Sequence, residues 1–579
     1  MSRTTPVHVH VLFLVAIQVS EHLLADDALS FLSTSSHFSE LRRRFFSKVL
    51  FRIPIDATTD HVRDRLAHVA VAANVSIGAR DFLGRVFSLD SENNVELNED
   101  ENSNSDEKPV QALFPLEDVV RNLSGVKSFK SAIVVNVAHL LPMADSLNEL
   151  ILEYGGFPPS VPLANIMMLS SFTHLTHLNV NYPNVPEFDK IEWNLLVNLQ
   201  DLTCFVNAPC FSATNLPPRL QNLTVQKSPH DLSSIRFCKS LVKLTVVLSR
   251  AFPVSILPHL SCLTSLHLSY GAIEDLSSIK CLENLADLFL NVSSGDLSPL
   301  SIHKKLQTLA VRSRRATDLT PLSCLTSLQY LCLNGCAFAI DLDPLKYLVN
   351  LQGLALDQKM VDLSPLSNLT QLIALDLARS SATDFSFFLN LTQLQDVNLN
   401  AAKHFDSTQL QFLVNLSNMH TLKLWRTGVD DLTPLRNMTK LEYLDISDTA
   451  VPTLDALSNA IRLKALKATN TFLSNEGVVA ISNLKSLIDL DLTGNTLITD
   501  ISFLQGHVRL RSLNIRQTNV QDLTPLAGVY SLRELTIWGT KVETLEPLFG
   551  MHITHLYCNS ENEVLWGQKW DHFPIKRYF

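Results

Sequence analysis

The chain of 579 residues has few of the sequence patterns on which enzyme active sites depend. It contains no Gly-x-x-x-x-Gly-Lys phosphate loop, no His-Glu-x-x-His metal helix, no Gly-x-Ser-x-Gly nucleophile turn and no Cys-x-x-Cys pair. Glycine is also scarce, with 17 residues spread along the chain, and no nucleophile has a recognisable partner base. The sequence therefore predicts a protein without catalytic activity, cofactor or bound metal ion.

Basic residues are fewer than acidic ones, 47 against 57, which gives a formal net charge of −10. A general nucleic-acid binder needs a basic face that neutralises phosphate groups. The charge balance therefore predicts that nucleic acid is not the partner.

Long apolar runs are also missing, and the sequence predicts no membrane span. The most apolar stretch, residues 11–19, is too short to cross a bilayer. It has two interpretations. With Arg3 before it and a cleavage site after Ala25, it would be the core of a signal peptide, and the protein would be secreted. Alternatively, it belongs to a helical unit that extends from Pro6 to Leu41.

What the sequence does contain is a repeat: Leu-x-x-Leu-x-Leu returns about every 22 residues from Leu147 to Cys558. The nineteen units begin at Leu147, Leu175, Leu199, Leu220, Leu241, Leu263, Leu285, Leu306, Leu328, Leu351, Leu372, Leu394, Met419, Leu441, Leu463, Leu487, Leu510, Leu532 and Ile553. No single unit can bury its apolar edge alone, so neighbouring units must stack. The period predicts one elongated solenoid.

The unit that begins at Leu441 shows how each repeat should fold. Side chains alternate along a strand, so Leu444 and Ile446 should point into the core, while Tyr443, Asp445 and Ser447 point outward. The preceding segment 431–435 contains a proline, which breaks any long helix and places the segment on a convex return arc. The outward strand residues should together form a concave parallel sheet.

The return segments share the sequence Asp-Leu-Ser/Thr-Pro-Leu, at 296–300, 318–322, 362–366, 431–435 and 522–526. They resemble the short repeats of internalins and of the leucine-rich regulatory subunit of protein phosphatase 1. The resemblance implies an α/β solenoid, a leucine-rich-repeat horseshoe with a parallel concave sheet. It leaves two functions open, a secreted or surface recognition and adhesion protein, and an intracellular scaffold such as a phosphatase regulator.

A polar column should follow the strands. Where many such repeats have asparagine, the last units have Thr427, Thr449, Thr471, Asn495, Thr518 and Thr540. A hydroxyl can hydrogen-bond the backbone of the turn as an amide does, with fewer bonds. Earlier units depart from this pattern, with Arg314, Cys336, Lys359 and Ala402. We therefore expect the polar column to be regular only near the C-terminal end.

The flanking regions divide the rest of the chain. Residues 1–87 have a helical pattern. Residues 88–109 are acidic, and their composition predicts a disordered linker. Residues 110–146 and 559–579 are expected to cap the two ends of the array, 147–558.

The stretch before the linker resembles the second half of an F-box. The matching positions are Pro6, Leu23, Asp27, Leu29, Phe38 and Leu41. The resemblance implies that these residues dock a ubiquitin-ligase adaptor while the solenoid selects the substrate. The Arg42–Arg44 run continues the helical pattern, and the nine scattered cysteines lack a disulfide framework. These features favour a cytoplasmic or nuclear protein over a secreted one.

Cysteines, sequons and paired histidines carry little functional signal in this sequence. Cys204, Cys262, Cys281 and Cys324 fall at positions expected in the core or on strands. Eight Asn-x-Ser/Thr sequons occur, at Asn74, Asn122, Asn222, Asn291, Asn368, Asn390, Asn415 and Asn437, and the last four arise from the repeat consensus. The pairs His174 with His177 and His552 with His555 straddle repeat starts, which argues against a metal site.

The richest set of outward side chains lies in the C-terminal repeats. It comprises Lys423, Trp425, Arg426, Tyr443, Arg511, Arg516, Arg533 and Trp538. Tryptophan, tyrosine and arginine dominate the binding energy of protein interfaces. The sequence predicts a protein partner on this part of the concave face, with a merely solvated surface as the alternative.

Overall fold

Short parallel strands, one from each repeat, are joined by turns and 3-10 helices in the computed structural model. The structure describes residues 127–558 except 132–135, 154–162, 183–184, 186, 205–211, 227–231, 248–251, 314, 334–340 and 357–361, together with the backbone of 49–51, 74–77 and 576–577. The chain divides into two units, Met1–Gly271 (unit 1) and Ala272–Phe579 (unit 2).

Unit 1 is a sheet of parallel strands in sequence order. The strands are β1 (Val49–Phe51), β2 (Asn74–Ile77), β3 (Ser128–Ser131), β4 (Glu149–Glu153), β5 (His177–Asn181), β6 (Asp201–Cys204), β7 (Asn222–Gln226), β8 (Lys243–Val247) and β9 (Ser265–Ile273). The register pairs Leu150 with Leu178, and the same leucine column continues in the next strands. The 3-10 helices are Val137–Met143, Ile166–Ser171, Phe188–Lys190, Trp193–Leu195, Ser233–Phe237 and Val254–His259.

Unit 2 repeats the same arrangement with shorter strands. They are β10 (Asp287–Val292), β11 (Thr308–Arg312), β12 (Tyr330–Cys332), β13 (Gly353–Ala355), β14 (Ala374–Asp376), β15 (Asp396–Asn398), β16 (Thr421–Lys423), β17 (Tyr443–Asp445), β18 (Ala465–Lys467), β19 (Asp489–Asp491), β20 (Ser512–Asn514), β21 (Glu534–Thr536), β22 (His555–Tyr557) and β23 (Lys576–Arg577). All described pairings in this unit are parallel.

The return segments of unit 2 are short helices, as the prolines predict. The 3-10 helices are Ser277–Cys281, Ser298–Ile302, Thr320–Cys324, Asp343–Tyr347, Ser364–Asn368, Ser386–Asn390, Gln411–Leu413, Thr433–Leu435, Asp455–Leu457, Val479–Asn483, Ser502–Leu504, Thr524–Leu526 and Glu546–Leu548. The one α-helix among the described residues of unit 2 is Ser407–Leu410.

The core of unit 2 is built from the alternating leucines. Leu444 and Ile446 have no exposed surface, and Leu444 lies in register between Leu422 and Leu466. Tyr443 and Asp445, on either side of Leu444, are only partly buried. The predicted alternation is therefore confirmed for these four residues. Ser447 differs, because it is 6% exposed and its hydroxyl accepts a hydrogen bond from the Thr469 backbone N–H.

The acidic residue of the return motif caps the 3-10 helix that follows. Asp431 Oδ1 accepts hydrogen bonds from the backbone N–H of Thr433, at 2.8 Å, and from the Thr433 hydroxyl, at 2.6 Å. These bonds hold the pKa of Asp431 below its ordinary value. The same backbone bond recurs at Asp275, Asp296, Asp318, Asp341, Asp362, Asp384, Asp406, Asp500 and Asp522. The motif is thus structural, and proline suits the first helical turn because its missing N–H needs no partner there.

The polar column is regular in the last repeats, as expected. The threonine hydroxyls donate to the carbonyl three residues earlier, as Thr427 does to Leu424 at 2.7 Å and Thr518 to Ile515 at 2.7 Å. Asn495 also reaches the preceding repeat, because its amide donates to the Ala468 carbonyl at 2.7 Å. The residue before this column has positive φ in eight successive repeats: Arg379, Ala401, Arg426, Asp448, Asn470, Gly494, Gln517 and Gly539. The column therefore stabilises a left-handed turn.

The structure differs from the sequence prediction at both ends of the array. Ser128–Ser131, inside the expected N-terminal cap, is a strand in register with Glu149–Glu153. Two strands, β1 and β2, lie in residues 1–87, where the pattern predicts helix. Lys576–Arg577, in the expected C-terminal cap, pairs with β22. The adaptor-docking positions and the linker 88–109 lie outside the described residues.

Candidate protein-binding face

The outward face of the sheet in unit 2 carries the side chains that alternate with the buried leucines. The hydrogen-bonded ladder continues beyond the assigned strands, because Arg426 N–H donates to the Ser447 carbonyl and Gln517 N–H to the Trp538 carbonyl, both at 2.9 Å. Trp425, Arg516 and Trp538 therefore occupy equivalent outward positions just after their strands.

Trp425 is held in place by the next repeat. Its indole N–H donates to Asp448 Oδ2 at 2.9 Å, and Arg426 Nε lies 3.3 Å from the same oxygen. The Arg426 guanidinium lies 4.7 Å from the Trp425 ring centre. Asn470 donates to the other Asp448 oxygen at 2.9 Å. The half-buried indole is thus fixed on the surface by three residues.

Lys423 and Tyr443 form a second contact on this face. Lys423 Nζ lies 5.8 Å from the Tyr443 ring centre. Partial burial raises the pKa of Tyr443 above its ordinary value, and the negative charge that Tyr443 gains on losing its proton raises the pKa of Lys467. The phenol and the ammonium group therefore keep their protons near neutral pH, in the field of the Asp445 and Asp489 carboxylates.

Arg516 and Trp538 form the most accessible pair. The Arg516 guanidinium lies 4.2 Å from the Trp538 ring centre, and Trp538 is 42% exposed. A guanidinium over an aromatic face gives an ordered surface of mixed apolar and cationic character. Such a surface can contact a partner with little loss of side-chain freedom.

Arg511 and Arg533 lie apart from this pair. Each precedes its strand, whereas Arg516 and Trp538 follow theirs. Five residues of extended chain separate Arg511 from Arg516, about 16 Å. Arg533 donates to the carbonyls of Tyr530 and Leu532 at 2.8 and 2.9 Å. The structure thus divides the predicted set into outward residues and residues at one edge of the sheet.

The two tryptophans frame a stretch of small side chains. Between Trp425 and Arg516 the equivalent positions are Ser447, Thr469 and Thr493. Five strand spacings separate Trp425 from Trp538, about 24 Å. The stretch between them is wide enough for an extended peptide or a helix.

A depression farther along the outward face was not predicted. It has a volume of about 350 Å³ and lies across strands β11 to β16. Its floor is made of small residues, including Ala310, Gly353, Ala355 and Ala374. A Cβ on Gly353 would lie 2.7 Å from Cδ1 of Tyr330, so the ring needs glycine beneath it. The sequence signal was a run of small residues at outward positions in neighbouring repeats.

The described cysteines are free thiols, and they differ in burial. No group of three or more His, Cys, Asp or Glu side chains among the described residues could hold a metal ion. Cys204 and Cys238 are buried, and burial raises the pKa of the Cys238 thiol to about 12. Cys262, Cys281 and Cys324 are exposed and lie on no strand, so the prediction that they lie in the core or on strands was wrong. Cys281 and Cys324 end return 3-10 helices, and Cys262 lies three residues after the return helix Val254–His259.

Parallel strands repeated at the leucine period, with capped 3-10 returns and a polar turn column, define a leucine-rich-repeat solenoid. No protein-family model and no curated protein sequence matches the chain. No helix among the described residues has the length and apolar character needed to span a bilayer.

Solved structures that resemble the chain are leucine-rich-repeat proteins. An internalin (inlF) from Listeria monocytogenes is 22% identical, with a TM-score of 0.32 over 65% of this chain and 85% of that one. A Leptospira interrogans leucine-rich-repeat protein is 19% identical, with a TM-score of 0.45 over 71% and 95%. The ectodomain of an Arabidopsis thaliana receptor kinase, solved in complex with Casparian strip integrity factor 2, is 16% identical, with a TM-score of 0.39 over 76% and 60%.

Proposed function

We propose that this chain is a non-enzymatic protein-interaction module that binds a protein partner on the outward face of the sheet in unit 2. The observation that carries the proposal is the pair Arg516 and Trp538, an ordered cation–aromatic contact on an exposed surface. Tryptophan and arginine supply the largest share of binding energy at protein interfaces. Trp425, fixed by Asp448, offers a second anchor on the same face.

The experiment compares three forms of the full chain in capture from native cells. One is the parent, one replaces Trp425, Arg516 and Trp538 by alanine, and the third carries Lys346→Ala and Tyr347→Ala. Lys346 and Tyr347 form a similar cation–aromatic contact, 5.4 Å long, on a return helix. A partner recovered by the parent and the control but lost with the folded triple variant supports the proposal. If all three forms recover the partner equally, the outward face of unit 2 is excluded as the binding surface.

We further propose a more specific role, in which residues 6–41 bind a ubiquitin-ligase adaptor. The solenoid would then be a substrate receptor in the cytoplasm or nucleus. Its support is the F-box-like spacing of Asp27, Phe38 and Leu41. Deletion of residues 1–50 should then remove the adaptor while the solenoid partner is kept. Sequencing the mature N-terminus separates this proposal from export, because loss of about 25 residues would indicate a cleaved signal.

A further inference from the structure

One edge of the sheet in unit 2 is strongly basic although the chain as a whole is acidic. The edge is formed by the four residues around the start of five successive repeats, 439–442, 461–464, 485–488, 508–511 and 530–533. Seven basic residues lie in these segments, with one acidic residue, Glu442. We name these bases the basic edge: Lys440, Arg462, Lys464, Lys485, Arg509, Arg511 and Arg533.

The backbone ladder places these segments side by side. Lys464 N–H donates to the Glu442 carbonyl at 2.8 Å, and Ile488 N–H donates to the Lys464 carbonyl at 2.7 Å. Arg511 N–H donates to the Ile488 carbonyl, and Arg533 N–H to the Arg511 carbonyl, both at 2.8 Å. Two arginines are thus direct neighbours. Like charges so close repel one another, so the edge holds positive charge at a cost to stability.

Little in the described part of the chain neutralises this charge. Lys464 forms an ion pair with Glu442, at 2.6 Å. Lys440 donates instead to the Asn418 amide oxygen, at 2.7 Å, and Lys485 to the Gln505 carbonyl, at 2.8 Å. These neutral acceptors orient the ammonium groups but leave their charge in place. All the bases except the partly buried Arg533 are exposed.

Apolar side chains are interspersed with the bases. Ile461, Val508 and Tyr530 are 60%, 68% and 65% exposed. Each stands two residues before the first buried position of its repeat, in the same segments as the bases. An occupant must therefore offer both negative charge and apolar groups.

We propose that the basic edge binds an acidic polypeptide segment that carries interspersed apolar side chains. Four strand spacings separate the first and last segments, about 19 Å, which suits a line of contacts along one chain segment. A nucleic acid could stack a base on Tyr530, but aliphatic Ile461 and Val508 offer its bases no aromatic surface. A flat anionic membrane would also meet Asp489 and Glu534, which begin the adjacent strands. The proposal does not depend on binding at the outward face.

The test measures binding of labelled polymers to the full chain by fluorescence anisotropy. The probes are a glutamate–tyrosine copolymer, polyglutamate, single-stranded oligothymidylate and vesicles of phosphatidylserine and phosphatidylcholine. The edge variant carries Arg509→Glu and Arg511→Glu. Its matched control carries Lys403→Glu and Lys541→Glu, two exposed lysines that follow their strands and so lie at the other edge. Both variants change the net charge equally.

The parent should bind the copolymer more tightly than polyglutamate. The edge variant should bind it about tenfold more weakly, while the control stays within about twofold of the parent. Val508→Ser with Tyr530→Ser should reduce copolymer affinity to the level of polyglutamate. Should the glutamate variant melt below the parent, Arg509→Gln with Arg511→Gln replaces it. Equal weakening by edge and control variants, or tighter binding of oligothymidylate or vesicles than of the copolymer, overturns the proposal.

Discussion

The indole N–H of Trp425 donates to a carboxylate oxygen of Asp448, 2.9 Å away in the next repeat. Asp448 has a φ of 55°, in the left-handed turn that follows the strand in eight successive repeats of unit 2. The turn reverses the chain, and the Asp448 side chain in it also fixes the Trp425 indole on the neighbouring repeat. The turns of the repeat thus contribute to the order of the outward face as well as to folding.

Asp448→Ala should destabilise unit 2 by about 1 to 3 kcal/mol, because the Trp425 indole N–H loses its partner while the left-handed φ remains strained. Asp448→Gly loses the same hydrogen bonds but relieves the strain, so its loss should be smaller. Urea unfolding of both variants gives the difference. An alanine variant at least as stable as the glycine variant would contradict this role for the turn.

Leu444→Ala should cost about 2 to 5 kcal/mol, because it removes a fully buried side chain and leaves a cavity between repeats. Glu442→Ala should change the free energy of unfolding by about 0.5 kcal/mol or less, because its ion pair with Lys464 is exposed. Chemical denaturation followed by circular dichroism measures both. Similar small losses for the two variants would disprove the strand assignment.

Stability should fall as the pH drops below about 6.5, the ordinary pKa of histidine. Burial lowers the pKa of His303 in the folded chain, so the unfolded chain binds a proton that the folded chain does not. The stability that neutral His303 contributes is complete above the pKa of histidine in the unfolded chain. It is lost as the pH falls toward the lower pKa of His303 in the folded chain. His303→Leu, which places a leucine where Leu282 and Leu325 stand in neighbouring repeats, should flatten the pH dependence of Tm. His552→Leu, at an exposed site, serves as the control. Unchanged pH dependence in the His303 variant would refute this assignment.

The repeat pattern predicted the strands and the return segments because one physical rule applies to every repeat. The rule is that side chains alternate about a buried leucine. Leu444 and Ile446 follow it, and the threonine column recurs at the turn that comes after the strand in the last repeats. Ser128–Ser131 was missed because Phe129 is the one large apolar side chain in that strand, so no leucine spacing marks it.

The candidate site was predicted in part. Side chains alternate along a strand, and this alternation places Arg516 and Trp538 outward. The alternation does not say at which end of a strand a residue lies. Arg511 and Arg533 were therefore grouped with residues about 16 Å away. The depression beneath Tyr330 depends on the small size of Gly353 in the next repeat. The consensus sequence of a single repeat does not show such a relation between neighbouring repeats.

The most direct test of the proposed function is the affinity of the purified chain for the partner recovered by capture. Arg516→Ala with Trp538→Ala should weaken binding by about 2 kcal/mol, roughly thirtyfold in Kd, because the anchor of the interface is removed. Lys346→Ala with Tyr347→Ala should leave Kd within about twofold, because that pair lies on a return helix. An unchanged Kd for the Arg516 and Trp538 variant, with an unchanged melting temperature, would contradict the assignment of the outward face as the binding surface.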